Sequence, residues 1–423
     1  MIERLRQWLD DPSVRWLAGA RIVSLLAAPL SLYLLITRQP LSARGFYLIA
    51  INVVALGQLF ETGMGTMVVQ FAARVRPSER GILRRAAEQW FMRAAFIGFA
   101  LTGTVGTFVL ARGTSTASVA FLLPWTVVLV CTAVYIRLVP LICLREGSGS
   151  AVRVQRMRAV QAVLVAAVTV AGLWTSRGIQ AAALAAVAQL AVAGAFILME
   201  RKQLSTSDPA VSRLADQYRT EQGRSARVWI ALWLAPQLLT PATMFLRGAP
   251  EAGDMGLHVA LALAPPVLSV AWMHARYPQL GALVASGALR TFDDTARHAF
   301  VQAAWVFAVS SAALISLAFV APFIFPFLSG RVLSPLMLAC LLVGSFTLVV
   351  FQAMLAWFRA FADEKFAPQV VVACAAMATG GVCGAGLGGA LGAAVGFSSV
   401  GVLVVTILVM GFIRLRAQKL ATV

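Results

Sequence analysis

Residues 118–144 read SVAFLLPWTVVLVCTAVYIRLVPLICL, with Arg137 the single charged side chain in the stretch. A helix needs about 20 mainly apolar residues to cross the roughly 30 Å hydrocarbon layer of a bilayer, and this run exceeds that length. Working outward from it, the same pattern recurs on both sides. Apolar runs lie near 17–37, 46–73, 90–111, 118–144, 159–175, 179–199, 228–246, 255–275, 298–322, 335–358, 367–384 and 390–413. The sequence thus predicts an all-α polytopic membrane protein with about 12 transmembrane helices. Composition agrees. Of 423 residues 60% are hydrophobic and 12% charged, and the mean hydropathy is +0.83. About a quarter of a soluble domain is charged, so these values exclude a disordered chain and argue against a soluble one. The five cysteines, Cys131, Cys143, Cys340, Cys374 and Cys383, all fall within apolar runs and are expected to be small buried hydrophobes, not disulfides or metal ligands.

Charge orients the spans. Lys and Arg number 35 against 17 Asp and Glu, for a net charge of +18. With the N-terminus placed in the cytoplasm, 26 of the basic residues fall on the cytoplasmic side, 6 on the other, and Arg21, Arg93 and Arg137 lie within spans. Such a bias predicts an even number of spans with both termini cytoplasmic. The opening MIERLRQWLDDPSVRW (1–16) carries Asp10 and Asp11 and is expected to be an amphipathic lead-in, not a cleaved signal. The longest polar stretch, RKQLSTSDPAVSRLADQYRTEQGRSAR (201–227), divides the chain. The expected organisation is an N-terminal six-helix lobe over 1–199, a cytoplasmic linker over 200–227 and a C-terminal six-helix lobe over 228–423. Weak internal similarity fits two parallel halves. Each opens with an Ala-Pro at matching depth, Ala28-Pro29 and Ala235-Pro236, followed by a span led by Gly45 or Gly256.

Two motifs carry less than their letters suggest. Gly384, Gly386 and Gly389 spell a G-x-G-x-x-G, but a dinucleotide site needs a strand before it and a helix after it. Here the run joins two apolar spans. Gly380/Gly384 and Gly388/Gly392 have the four-residue spacing of closely packed helices. The basic loops lack interleaved aromatics and are topology signals, so no nucleic-acid partner is expected.

Charges at depth in a bilayer are expensive, which makes each one a functional candidate. Arg21 and Arg137 lie in the cytoplasmic half of their spans, too deep to reach water easily, whereas Arg93 is close enough to snorkel. Ser24 shares a helical face with Arg21, and Gln58 shares one with Glu61. Glu61 is near the midplane. It is either a coupling site for a proton or sodium ion, or the ion-pair partner of one arginine. Two cations against one acid leave excess positive charge, which suits an anionic group entering from the cytoplasm, and Arg21 and Arg137 present the planar fork that suits phosphate. Arg93, His274 and Arg276 are candidate contacts at the cytoplasmic side, with interfacial anchoring as the alternative for each. No catalytic residue, metal site or cofactor is expected.

Three stretches carry a family resemblance: LFETGMGTMVVQFAARV (59–75), LREGSGSAVRVQRMRAVQAV (144–163) and AGDMGLHVALALAPPVLSVAWMHARYPQLGALVASG (252–287). Their order and spacing resemble those of the O-antigen and polysaccharide flippases of the multidrug/oligosaccharidyl-lipid/polysaccharide exporter superfamily. The resemblance implies two six-helix lobes in a V with alternating access. It also implies translocation of an undecaprenyl-pyrophosphate-linked oligosaccharide, an O-antigen or exopolysaccharide unit, from the cytoplasmic to the periplasmic leaflet of a bacterial inner membrane. Arg21 matches the family's basic position in the first span. Partners implied are the lipid-linked glycan, the bilayer and other polysaccharide-assembly membrane proteins. The chain departs from the family in the scarcity of charge in its second half. The competing expectations are a cation-coupled small-molecule or drug antiporter of the same fold, which calls for several deep carboxylates, and a membrane-embedded glycan-processing enzyme, which calls for a catalytic cluster in a substantial loop.

Overall fold

A computed structural model describes residues 16, 20, 23, 27, 30–74, 79–112, 121–175, 177–200, 212–274, 276, 280, 283–284, 286–324, 334–361 and 366–421. All the regular structure among them is helical. The helices are α1 (30–38), α2 (Leu41–Leu59), α3 (Gly65–Arg74), α4 (Arg80–Arg112), α5 (Leu122–Arg145), α6 (Ala151–Trp174), α7 (Ile179–Glu200), α8 (Ser212–Gln237), α9 (Leu239–Arg247), α10 (Ala249–Ala262), α11 (Ala264–His274), α12 (Leu289–Ile324), α13 (Pro335–Ala360) and α14 (Ala367–Ala421). A π turn, Phe60–Met64, joins α2 to α3, and a second, Glu146–Ser150, joins α5 to α6. The chain divides into two compact units, Met1–Trp229 and Ile230–Val423.

Among the described residues seven helical stretches are long and apolar enough to cross a membrane, and α8 with α9, bent by 40°, makes an eighth if the pair is one span. Two of the seven, Leu122–Trp174 and Ala367–Gln418, hold 53 and 52 residues. At 1.5 Å per residue each is roughly 80 Å long, more than twice a bilayer core, and each reverses direction. Of the expected span over 17–37, positions 20, 23, 27 and 30–37 are described and the others lie outside the described residues.

In the first unit α7 is the axis around which α5 and α6 pack. Arg145 of α5 bonds the Glu200 carbonyl at the end of α7, so α5 and α7 run parallel. Arg153 near the start of α6 reaches Glu200, and Gly172 near its end lies against Ala181, so α6 and α7 run antiparallel. The chain turns between α5 and α6 at Gly149, whose φ of 101° is the left-handed conformation that glycine adopts without penalty. Helix α4 closes on α5 through Gly106, where a Cβ would lie 2.5 Å from the Trp125 ring.

In the second unit α14 is a hairpin. Its turn is Gly388–Gly389, the latter at φ 62°, ψ −146°. The two arms are nearly in backbone contact: a Cβ on Gly384 would lie 2.0 Å from the Gly392 carbonyl oxygen, and one on Gly380 2.8 Å from that of Gly396. Close packing by small residues is therefore present, but the pairs are Gly384 with Gly392 and Gly380 with Gly396. Gly388, expected on a packing face at four-residue spacing from Gly392, forms the turn instead. Arg247 and Glu251 hold that turn, the first donating to the carbonyls of Ala385 and Gly386, the second accepting from the Ala390 amide.

These contacts predict a sharp contrast along one glycine run. Gly384→Ala should cost roughly 1–3 kcal/mol by overpacking. Gly386→Ala, where a Cβ meets open space, should stay within about 0.5 kcal/mol. Thermal unfolding of the two variants in detergent micelles measures the difference.

Candidate functional site

The polar centre of the first unit is built on the π turn Phe60–Met64. Glycines on both sides let other helices approach it. A Cβ on Gly57 would lie 2.7 Å from the Tyr135 ring, and one on Gly65 would lie 2.5 Å from Cys143 Sγ. At the other π turn, a Cβ on Gly147 would lie 2.4 Å from the Val69 carbonyl oxygen, so Glu146 is held against α3. The two π turns thereby bring Glu61 and Glu146 into the same neighbourhood. Such turns are over-represented at functional positions in helices.

Arg158 of α6 joins the two carboxylates. Its Nε donates to Glu61 Oε1 at 2.5 Å, and its terminal nitrogens donate to Glu146 Oε1 and Oε2 at 2.9 and 2.8 Å. The second contact is the two-pronged fork that fits guanidinium to carboxylate. The Tyr135 hydroxyl of α5 donates to Glu61 Oε2. Gln155 Nε2 donates to Glu146 Oε1 at 2.9 Å. Gln161 and Gln189 flank the Tyr135 hydroxyl. Glu61 is buried, with 6% of its surface exposed, and the Arg158 side chain keeps 20%. Two carboxylates share one guanidinium, so the cluster carries one surplus negative charge when both acids are ionised. Gln155 Oε1, a buried acceptor, has no hydrogen-bond partner among the described residues. An acceptor-rich, donor-poor cluster of this kind can take up a proton or another monovalent cation.

The sequence-predicted residues are distributed unevenly around this centre. Glu61 is in it. Arg137 is not. It stands exposed on the stripe of α5 that also exposes Leu123, Val130 and Val134, and has no ion pair or hydrogen bond among the described residues. Arg93 is also exposed, on the face of α4 that bears Phe96 and Ile97. Arg276 is half-buried. Arg21, Ser24 and the side chains of Gln58 and His274 lie outside the described residues. Sequence reasoning missed Arg158, Glu146 and Tyr135. Arg158 falls just before the apolar run that begins near 159, where a charge reads as part of a cytoplasmic loop, whereas α6 starts at Ala151 and carries it inside the helix. The motif LREGSGSAVRVQRMRAVQAV held the signal, since it places an acid and an arginine on either side of a glycine-rich turn.

Removing Arg158 strands the buried Glu61 carboxylate and the half-buried Glu146 carboxylate. Arg158→Met should destabilise the protein by about 3–5 kcal/mol, the cost typical of breaking one side of a buried pair. Adding Glu146→Gln and Glu61→Gln should recover part of that loss. Unfolding temperatures of the single and triple variants provide the check, and an unchanged melt for Arg158→Met would contradict the cluster.

No protein-family model and no curated protein matches the sequence. Solved structures do. An inward-facing multidrug resistance MATE family transporter of the MOP superfamily superposes with a TM-score of 0.64 at 12% identity, covering 96% of this chain and 99% of the other. The lipid II flippase MurJ in an inward closed conformation gives 0.61 at 11% identity over 92% and 87% of the two chains. An outward-facing MATE transporter gives 0.59 at 14% identity over 98% of each. The chain therefore has the polytopic helical fold of these MATE transporters and of the flippase MurJ.

Proposed function

We propose that the protein is a flippase that moves an undecaprenyl-pyrophosphate-linked oligosaccharide from the cytoplasmic to the periplasmic leaflet by alternating access. The fold supports a transporter of the MOP type, and the family resemblance of the sequence supports the glycan cargo. The observation that carries the reading is Arg137. Arg158 engages the buried Glu61 and the half-buried Glu146, and Arg145 and Arg153 engage the buried Glu200, so Arg137 is left without a protein partner among the described residues. A cation held in an apolar helix without a counter-ion is costly unless something anionic visits it. A pyrophosphate is such a visitor, and its bidentate fit to guanidinium orients the headgroup while the lipid tail stays in the bilayer.

In this reading the chain has twelve spans with both termini in the cytoplasm, lobes over 1–199 and 228–423 joined through 200–227, and sits in a bacterial inner membrane. Arg21 acts with Arg137 on the headgroup, and Ser24 and Gln58 line the same path. Arg93, His274 and Arg276 contact headgroups at the cytoplasmic side. The glycan cannot cross hydrocarbon alone, because each unpaired polar group costs several kcal/mol there. A cavity bearing Arg137 replaces part of the lost hydration. Glu61, with Glu146, holds the coupling cation: taking up a proton cancels the surplus negative charge around Arg158 and changes how tightly α6 is bound to the π turn.

A second reading, a cation-coupled small-molecule antiporter, is favoured by that same surplus carboxylate. The two readings differ in the cargo. In a host depleted of the protein, mass spectrometry of lipid extracts should show accumulation of one undecaprenyl-pyrophosphate glycan, cleared by the wild type and at least about tenfold less well by Arg137→Ala. An unchanged lipid profile on depletion would overturn the flippase in favour of the antiporter.

A further inference from the structure

The polar stretch before the second half of the chain is not only a connection. From Ser212 it is α8, one continuous helix to Gln237, and its portion up to Trp229 belongs to the first unit. Its outward face carries exposed Arg219, Arg224 and Arg227. The opposite stripe, Tyr218, Gln222, Ser225 and Ala226, is buried. This is the three- and four-residue spacing of an amphipathic helix whose inner face is itself partly polar. Polar groups are buried at a cost, so a fully buried tyrosine and glutamine need a reason to be there.

Their surroundings supply one. The Tyr218 ring meets Phe71 of α3 edge-on, with centroids 5.5 Å apart. Gln222 Nε2 donates to the Met64 carbonyl oxygen at 3.2 Å. Met64 is the last residue of the π turn that presents Glu61. A π turn interrupts the regular ladder of a helix, and a side-chain donor from a neighbour holds the carbonyl at its end. Beside these contacts two fully buried polar atoms, Gln222 Oε1 and the Tyr218 hydroxyl, have no hydrogen-bond partner among the described residues. The seat of α8 on the π turn is thus incompletely satisfied among the described residues. Further out, Arg219 donates to Gln89 of α4 at 3.0 Å.

We infer that Tyr218 and Gln222 are positioning residues for Glu61: they seat α8 on the π turn that presents Glu61 to Arg158, so a change of charge at Glu61 alters the hold on the helix that continues past Trp229. Glu61 and Met64 are three residues apart on one short turn, with Arg158 gripping one and Gln222 the other. Loosening Arg158 from Glu61 lets the turn relax toward regular helix and takes the Met64 carbonyl away from Gln222. Linkage works in both directions, so freeing α8 must equally weaken the presentation of Glu61. The proposal rests on the Glu61 site of the preceding section only for its consequence in transport.

Hydrogen exchange read by mass spectrometry on the full-length protein in lipid nanodiscs tests it without a transport assay, so a failure of the flippase reading leaves the result intact. Glu61→Gln should speed exchange about five- to tenfold in peptides covering 216–229, and the near-isosteric Gln222→Met should do the same in peptides covering 58–66. Arg227→Ala, on the exposed face, should leave 58–66 unchanged. If the effect of each variant stays within its own helix, or if Arg227→Ala loosens 58–66 as much as Gln222→Met does, the inference is overturned. Should Gln222→Met fail to fold, the Glu61→Gln arm decides alone: faster exchange in α8 supports the inference and unchanged exchange overturns it.

Discussion

The Arg158 guanidinium bonds two carboxylates that come from different turns of the chain, and the first unit is arranged so that it can. Glu61 and Glu146 are far apart in sequence, each placed on a π turn between two helices. Neither turn could reach the other if its flanking positions carried side chains, since Gly57, Gly65 and Gly147 sit against Tyr135, Cys143 and the Val69 carbonyl. The glycines give close approach, close approach gives the fork, and the fork neutralises most of a charge cluster that would otherwise be prohibitive at depth. Tyr135, Gln155, Gln161 and Gln189 complete the polar shell from α5, α6 and α7.

Once the acids are engaged there, the remaining charges take on meaning by contrast. Arg145 and Arg153 share Glu200 at the end of α7. Arg416 pairs with Asp293, which also accepts from Trp357, tying α12, α13 and α14 together at one end of the second unit. These are structural pairs that close helix ends. Arg137 has no such partner among the described residues, and it lies in the stretch of sequence least hospitable to it. The proposed division of labour follows: an acidic cluster around Arg158 that handles a cation, and Arg137 that handles an anion.

Much of the fold was legible because hydropathy and length act locally. The run at 118–144 became Leu122–Arg145, and 179–199 became Ile179–Glu200, with little displacement. Helices whose first turns are charged were read too short. The runs at 90–111 and 298–322 begin at Arg80 and Leu289 in the structure, because apolar content marks what lies in lipid and not where the backbone ladder starts. The same blindness hid the site. Arg158 looked like a loop charge because it precedes the apolar run, and its link to Glu61 spans 97 residues, beyond any helical or turn spacing. The depth of Glu61 was visible, whereas its partner required the packing of α6 on α7. In the second unit the glycine run gave away close packing, yet which glycines pair depends on where the hairpin turns, and that is set by Arg247 and Glu251 from another helix pair.

If Arg137 is a cation kept for an anionic lipid headgroup, binding must depend on it. Native mass spectrometry of the purified protein with undecaprenyl pyrophosphate and with undecaprenol, for the wild type and Arg137→Ala, separates the headgroup from the tail. The wild type should retain the pyrophosphate lipid at least about tenfold better than the alcohol, and Arg137→Ala should lose this preference. Equal retention of the two lipids by the wild type, or an undiminished preference in the variant, would contradict that role for Arg137.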